Sequence, residues 1–364
     1  MFEIDASNLN RFVRCNGSRL LPAALSVPTE NHDTTVRDEG TAAHYMIQAA
    51  REKHFTPLEL VDRKAPNGVY MSAEMGEHVE SYLAHLHPHG VVEQDTTLVT
   101  EKWRVNGRAD YIYFDPTTHI LHVYDFKYGW SIVEPIENYT LIYHAWAFAQ
   151  VMGLQPVAYN FAICQPRPGH WEGPFREWQI DAVAFAGFAR NIWFALTEPN
   201  SELHTGNHCR RCPALADCGA ARSATMNAID YSEHAYKDNL AAEATSFELD
   251  QIARAEAMLK ARKQALEEHA MMLLALGEIV PNYSLEIGQG NRKWKDGIDA
   301  ATVKIMTGID VTKPGMVTPA EAERRGVNKM VTNSLTERPS TGKKLVRVDA
   351  NRKAKHIFGN KPKG

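Results

Sequence analysis

The spacing of apolar and polar positions divides the chain into stretches of different character. Over the first 90 residues apolar positions recur at helical spacing around Ser7 to Leu20, Glu39 to Glu52 and Met75 to His85, with Pro, Gly and polar residues between them. From Thr97 the period changes to two. TLVTEKWRV, GRADYIYF and HILHVYDFKYG predict a meander of three strands, the last two joined by a tight turn at Asp115-Pro116-Thr117-Thr118. A helix is expected from about Pro135 to Met152, ended by Gly153; PVAYNFAIC and FREWQI then read as two more strands, and Ala182 to Leu196 as another helix. The order β-β-β-α-β-β-α, with middle strands apolar enough to be covered on both faces, predicts an α/β layered domain. Phe247 to Leu276 is rich in Ala, Leu, Glu, Lys and Arg without an internal Gly or Pro, and predicts one long helix ending at Gly277 and Pro281. Beyond Gly288 the chain is polar and broken. Residues 343–364 carry eight Lys and Arg against Asp349 alone, which reads as a flexible basic tail.

At 364 residues the chain exceeds the roughly 250–300 at which one hydrophobic core stops growing. The expected division is a main domain over 1–230, a helical accessory region over 231–342 and the tail over 343–364. With 44% hydrophobic and 23% charged residues the composition is that of an ordinary globular protein, and 40 Lys and Arg against 44 Asp and Glu leave a formal charge of −4. No window approaches the 18 or so apolar residues of a membrane span, and Glu3 and Asp5 stand where a secretory leader would be basic and then apolar. Neither membrane insertion nor secretion is expected. Five cysteines are too few, and odd in number, for a secreted disulfide framework; they read as reduced thiols open to metal.

Four constellations carry candidate chemistry. Gly107-Arg108-Ala109-Asp110 is followed fifteen residues later by Asp125-Phe126-Lys127. On strands Asp125 and Lys127 share a face, and Asp110 on the paired strand can lie beside Asp125. Two adjacent carboxylates suit a hard cation such as Mg²⁺ or Mn²⁺, with Lys127 to orient a water; the plain alternative is a surface salt bridge. Glu39-Gly40-Thr41-Ala42-Ala43-His44 puts His44 one turn inside a helix, as a ligand or as a structural histidine. Cys209, Cys212 and Cys218 lie within ten residues of one another, and with Cys15 they supply four thiolates for a 4Fe-4S cluster. Zn²⁺ held with Cys15 or His208 is the competing reading and a set of metal-free thiols the plain one, while Cys164 reads as a small buried hydrophobe. Tyr139 and Tyr143, four apart on one helix, are core residues or hydroxyls aimed at a metal or a base.

The joint order His44, Asp110, Asp125-x-Lys127, Tyr143 and a terminal Cys group paired with an early Cys resembles the RecB-like branch of the PD-(D/E)XK nuclease superfamily. Within it the likeness is to CRISPR-associated RecB-like exonucleases and AddB-type helicase-nucleases, over about residues 7 to 222. Asn291-Arg292-Lys293-Trp294 after the long helix also looks similar to an uncharacterised phage-associated family of the superfamily. The resemblance implies a restriction-endonuclease-like mixed sheet flanked by helices. It implies a metal-dependent deoxyribonuclease, an exonuclease acting in recombination, replication or repair in the cytoplasm of a bacterial or phage-infected cell. It makes His44, Asp110, Asp125 and the main-chain carbonyl of Phe126 the ligands of Mg²⁺ or Mn²⁺, and Lys127 the catalytic lysine. Tyr143 matches the tyrosine of a Gln-x-x-x-Tyr motif near the DNA, with Tyr139 where glutamine is usual. Cys15, Cys209, Cys212 and Cys218 match cluster ligands. By analogy with phage systems, DNA and a single-strand annealing protein are the implied partners. The rivals are a DNA-binding or scaffold protein that keeps the fold without catalysis, and a zinc-stabilised interaction module.

Overall fold

Successive residues of two central strands enter two different apolar layers, and the domain is built around them. The structure is a computed structural model that describes residues 2–21, 34–53, 55–198, 200–233, 242–289, 293–295, 297–313, 315–337 and 340–347. In chain order the elements used below are β1 (Phe2–Asp5), α1 (Leu9–Phe12), α2 (Thr35–Lys53), α3 (Ala73–Leu83), β2 (Val91–Asp95), β3 (Leu98–Val99), β4 (Trp103–Asn106), β5 (Arg108–Asp115) and β6 (Ile120–Phe126). They continue with α4 (Tyr139–Met152), β7 (Ala158–Cys164), β8 (Phe175–Asp181), α5 (Ala182–Thr197), α6 (Gly219–Glu233) and α7 (Ala242–Ala275).

The main sheet has the order β2-β5-β6-β7-β8. All neighbours are antiparallel except β6 and β7, which run parallel from Ile120↔Ala158 to Phe126↔Cys164. A parallel pair needs a crossover, and α4 supplies it. Asn138 caps that helix by accepting the Thr140 N–H at 3.2 Å, and Gly153 ends it in the left-handed region at φ 64°. Ile112, Leu121, Val123, Phe161 and Ile163 point to the α4 and α5 side; Tyr111, Tyr124, Phe126, Ala162 and Cys164 point to the layer of α2 and α3. The mixed α/β sheet flanked by helices is thus what the chain forms.

The meander expected from Thr97 is corrected. Thr100 turns the chain back, its hydroxyl accepting the Trp103 N–H at 3.0 Å, so the first run splits into β3 and β4. These pair with β1 in a separate three-stranded sheet, order β1-β4-β3. The strand that flanks β5 is instead β2.

The two tyrosines proposed as DNA contacts are also corrected. Tyr143 is fully buried; its hydroxyl donates to the Thr96 and Val105 carbonyls at 2.9 and 3.0 Å and accepts the Leu98 N–H at 3.2 Å. It fastens β3 and β4 onto α4. Gly107 is small for this reason, because a Cβ there would stand 2.9 Å from the Tyr143 ring and 2.5 Å from the Thr96 hydroxyl. Tyr139 is buried too, against Phe188 and under the Arg14 guanidinium, and its hydroxyl accepts from Asn191 at 3.3 Å.

The chain divides into two compact units inside α7, between Arg262 and Lys263, and not near residue 230 as the sequence led us to expect. Buried Arg262 donates to the Leu215 carbonyl, which binds the first part of the helix to the segment carrying three cysteines. The second unit is not purely helical. Tyr283–Gln289 and Ser340–Arg347 pair antiparallel, and Val303, Val311, Val317, Ala322 and Val327 form a small core. Residues 343–347 of the expected flexible tail are therefore a paired strand, while 348–364, with Arg352, Lys353, Lys355, Lys361 and Lys363, lie outside the described residues, as do Asn291 and Arg292. Among the described residues no helix is long and apolar enough to cross a membrane.

Tyr143→Phe removes one hydroxyl that serves three buried backbone groups. It is expected to cost about 1–3 kcal/mol, seen as a melting temperature lowered by about 2–4 °C per kcal/mol. Unchanged melting with weakened DNA binding would return Tyr143 to the role of a DNA contact.

Candidate active site

The candidate residues converge where β2, β5 and β6 pass the middle of α2. Regular pairing of β5 and β6 stops at Tyr111↔Tyr124. One residue further the same register sets Asp110 opposite Asp125, and the Asp110 side chain takes over from the backbone: its Oδ2 accepts the Phe126 N–H at 2.7 Å. Asp110 is thereby fixed by a charge-assisted bond to the main chain. On the other side of β5, Glu93 lies between the pairs Val92↔Tyr111 and Gln94↔Ala109, with φ at +52°. A non-glycine residue in that region is strained, and such strain is found where a side chain is being aimed. Here it brings the Glu93 carboxylate to His44, with Oε1 3.4 Å from Nδ1; Asp110 Oδ1 is 3.7 Å from the same nitrogen.

His44, Glu93 and Asp110 each offer a ligand atom, and all three atoms lie within 4.8 Å of one another. Asp125 is in the same neighbourhood but has its own partner, the Lys127 ammonium, 2.7 Å from both carboxylate oxygens. The residues expected to act together are therefore brought together, with a different allotment. His44 and Asp110 share a potential ion site with Glu93, and Asp125 stands beside it as half of an ion pair. Glu93 escaped the sequence reading, which began its strands at Thr97; the signal was VVEQD, a short β-rich run carrying one acidic residue.

Two protonation shifts follow from this crowding. Burial alone would depress the His44 imidazole, but Asp110 and Glu93 outweigh it and hold the group up at about 9. Burial pushes the Asp125 carboxyl up to about 6; Lys127 opposes that rise and Asp110 adds to it. His144 on α4 is also buried, and desolvation pulls it down to about 4, so it is neutral where it holds the Thr96 hydroxyl at 2.7 Å.

The cysteines form a second assembly. The Cys15 sulfur accepts the His204 N–H at 3.3 Å and the Cys209 sulfur accepts that of Gly206 at 3.4 Å. Burial pushes the Cys209 thiol up, the Gly206 N–H lowers it, and Cys212, Cys15 and Cys218 raise it again. Cys164 stays apart on β7, 3% exposed, its thiol pushed up to about 12 by burial. That agrees with its reading as a small buried hydrophobe. Among the described residues His44, Glu93 and Asp110 are the only three such ligands within 4.8 Å of one another.

Residues 3–353 match the family model described as protein of unknown function, DUF2800, and the chain belongs to that family. No curated protein matches it.

Because a group raised from 6.5 to about 9 contributes stability below its unfolded pKa and loses it above, the metal-free protein is expected to lose stability as pH rises from about 6.5 to 9. An ion taking the imidazole nitrogen must displace that proton. Calorimetry of Mn²⁺ binding at pH 8 in buffers of different ionisation enthalpy is expected to show about one proton released per ion. Glu93→Gln should weaken that binding by at least about tenfold. A Mn²⁺ affinity independent of both pH and Glu93 would remove these residues from any ion site.

Proposed function

We propose that the chain is a metal-dependent deoxyribonuclease, an exonuclease of the bacterial or phage cytoplasm, whose site is formed by His44, Glu93, Asp110, Asp125 and Lys127. The observation that carries this reading is the convergence of three carboxylates and an imidazole beside a paired lysine at the end of two central strands. The donor set fits a divalent ion. Oxygen ligands suit Mg²⁺ or Mn²⁺ alike, and the imidazole moves the preference toward Mn²⁺. His44, Glu93 and Asp110 would hold it, with Asp125 beside them. A bound ion would supply charge for the phosphodiester's developing negative oxygens and a more acidic water.

The protein's own part is positioning. Asp110, tied to the Phe126 amide, cannot swing away from its neighbours. Asp125 anchors the Lys127 ammonium, which leaves that group ready to hold a water or a phosphate oxygen in line for attack. Buried His144 is neutral and adds no titration of its own near neutral pH.

We read the four thiols as the ligands of a structural 4Fe-4S cluster, with zinc as the alternative occupant. Backbone N–H groups point at two of the sulfurs, as at thiolate ligands of such clusters. A recombination partner such as a single-strand annealing protein belongs to the same proposal.

Labelled linear DNA incubated with Mn²⁺ or Mg²⁺ provides the test. Lys127→Ala and Asp125→Ala are expected to lower the rate by about 10²–10⁴-fold, and Glu93→Ala by a comparable factor. Activity that survives the Lys127 or Asp125 change would sink the assignment. Anaerobically purified protein is expected to contain iron and to absorb broadly near 400 nm; zinc without iron would replace the cluster.

A further inference from the structure

The loops that follow β6 and β7 present a group of large apolar side chains to solvent. Trp130 is 61% exposed and Trp171 88%, with Ile132 and Ile136 also open. One exposed apolar residue needs no explanation, but several together on loops beside a candidate site do. These loops are held firmly. Gln165, 1% exposed, donates to the Gly129 and Ser131 carbonyls at 2.9 Å each and accepts the Val133 N–H at 3.0 Å. Arg176, 2% exposed, donates to the Val133 carbonyl at 2.6 Å, and Glu134 joins the two loops through Arg176 at 3.4 Å and His170 at 3.2 Å. Buried polar groups thus fix the backbone on either side of an aromatic ring that itself stays in water.

Arg167 completes the arrangement. Its guanidinium lies 3.8 Å from the Tyr128 ring centre and 5.5 Å from that of Trp130, and Glu39 of α2 holds it at 2.5 Å. Its charge is spent on Glu39, so the loop offers a flat, supported π-face more than a free cation. Trp130 follows Lys127 by three residues, a Cα separation of at most about 11 Å, within reach of one short stretch of DNA strand.

We infer that Trp130, supported by Arg167 and the Gln165-bound loop, is a base-stacking platform that receives an unpaired DNA strand on its way to Lys127. Duplex DNA keeps its base faces stacked internally, whereas a single strand presents them to an aromatic side chain. A preformed loop also avoids the ordering cost that a flexible one would add on binding. The inference rests on the nuclease reading for the path of the strand, and it gives that site a preference for single-stranded ends.

Fluorescence anisotropy with labelled oligothymidine and a duplex of equal length, with calcium as the divalent ion, separates the two readings. Trp130→Ala is expected to weaken single-strand binding by about 5- to 100-fold while duplex affinity changes by less than about twofold, and Trp130→Phe should recover most of the loss. Circular dichroism of each variant verifies folding. Single-strand affinity unchanged in Trp130→Ala, an equal loss on both substrates, or no single-strand binding by the wild type would overturn the platform. Lys127→Ala is expected to lose Mn²⁺-dependent cleavage, while the single-strand binding it keeps still falls on adding Trp130→Ala. A wild type that cleaves no DNA but binds single strands through Trp130 would refute the nuclease reading and leave the platform standing.

Discussion

The hydrogen bond from the Phe126 amide to the Asp110 carboxylate is the contact on which the candidate site depends. A side chain replaces the backbone ladder where two central strands part, so the carboxylate is set by the sheet and not by a loop. From that point the other groups are placed by register. Asp125 lies opposite Asp110, Lys127 follows on the same face, and Glu93 stands across β5 on the outer strand. The parallel join of β6 to β7 serves the same end, since the Lys127 N–H donates to the Cys164 carbonyl at 2.8 Å just past the last residue of β6. Rigid elements hold reacting groups more accurately than loops do.

Such a placement is electrostatically costly, and the cost explains the cations around it. Two like charges about 4 Å apart repel by about 4 kcal/mol at an effective dielectric of 20, and Glu93, Asp110 and Asp125 are all largely withdrawn from water. Lys127 neutralises one of the three. Without an ion, the cheapest further compensation is a proton, which accounts for the raised His44 imidazole and the reluctance of Asp125 to ionise. The cluster is therefore a receptor for positive charge, and a proton on His44 would have to leave before a cation took its place. The formal charge of −4 tells little about this, because charge is concentrated here and in the basic C-terminal stretch.

Most of the framework was legible because period-2 and period-3.6 patterns are strong in β5, β6, β7, α4 and α7. Asp110, Asp125 and Lys127 were legible through residue type and strand alternation, and His44, on a helix, through the RecB-like resemblance alone. Glu93 was not: β2 is five residues long, and its glutamate departs from ordinary strand geometry, so alternation does not say where the side chain points. Tyr143 misled in the opposite way. Its motif position points to substrate, but burial depends on β3 and β4 folding back over α4, which turns on the side-chain bond of Thr100. The division within α7 was equally hidden, since a helix of uniform composition does not show which of its turns belongs to which unit.

The approach of the Cys15 segment to the segment that carries Cys209 has a cause in the backbone. Gly17 donates to the Glu202 carbonyl at 2.9 Å, and a Cβ on it would come within 2.6 Å of that oxygen, so only glycine lets the two chains approach. Asn16 and Arg19 both donate to the Ala195 carbonyl, at 3.2 and 2.6 Å, and Asn16 also accepts the Asn200 N–H at 2.9 Å. These bonds close a loop running from Cys15 to beyond Ala195 around the whole main sheet. Closing a loop that long costs entropy that grows only slowly with its length, so a few backbone bonds and one permissive glycine suffice to hold it. The same closure brings Cys15 and Cys209 to one residue, His204, whose backbone bonds both sulfurs. A metal group they bind would reinforce an existing junction, which separates its structural role from the chemistry at Asp110 and Lys127.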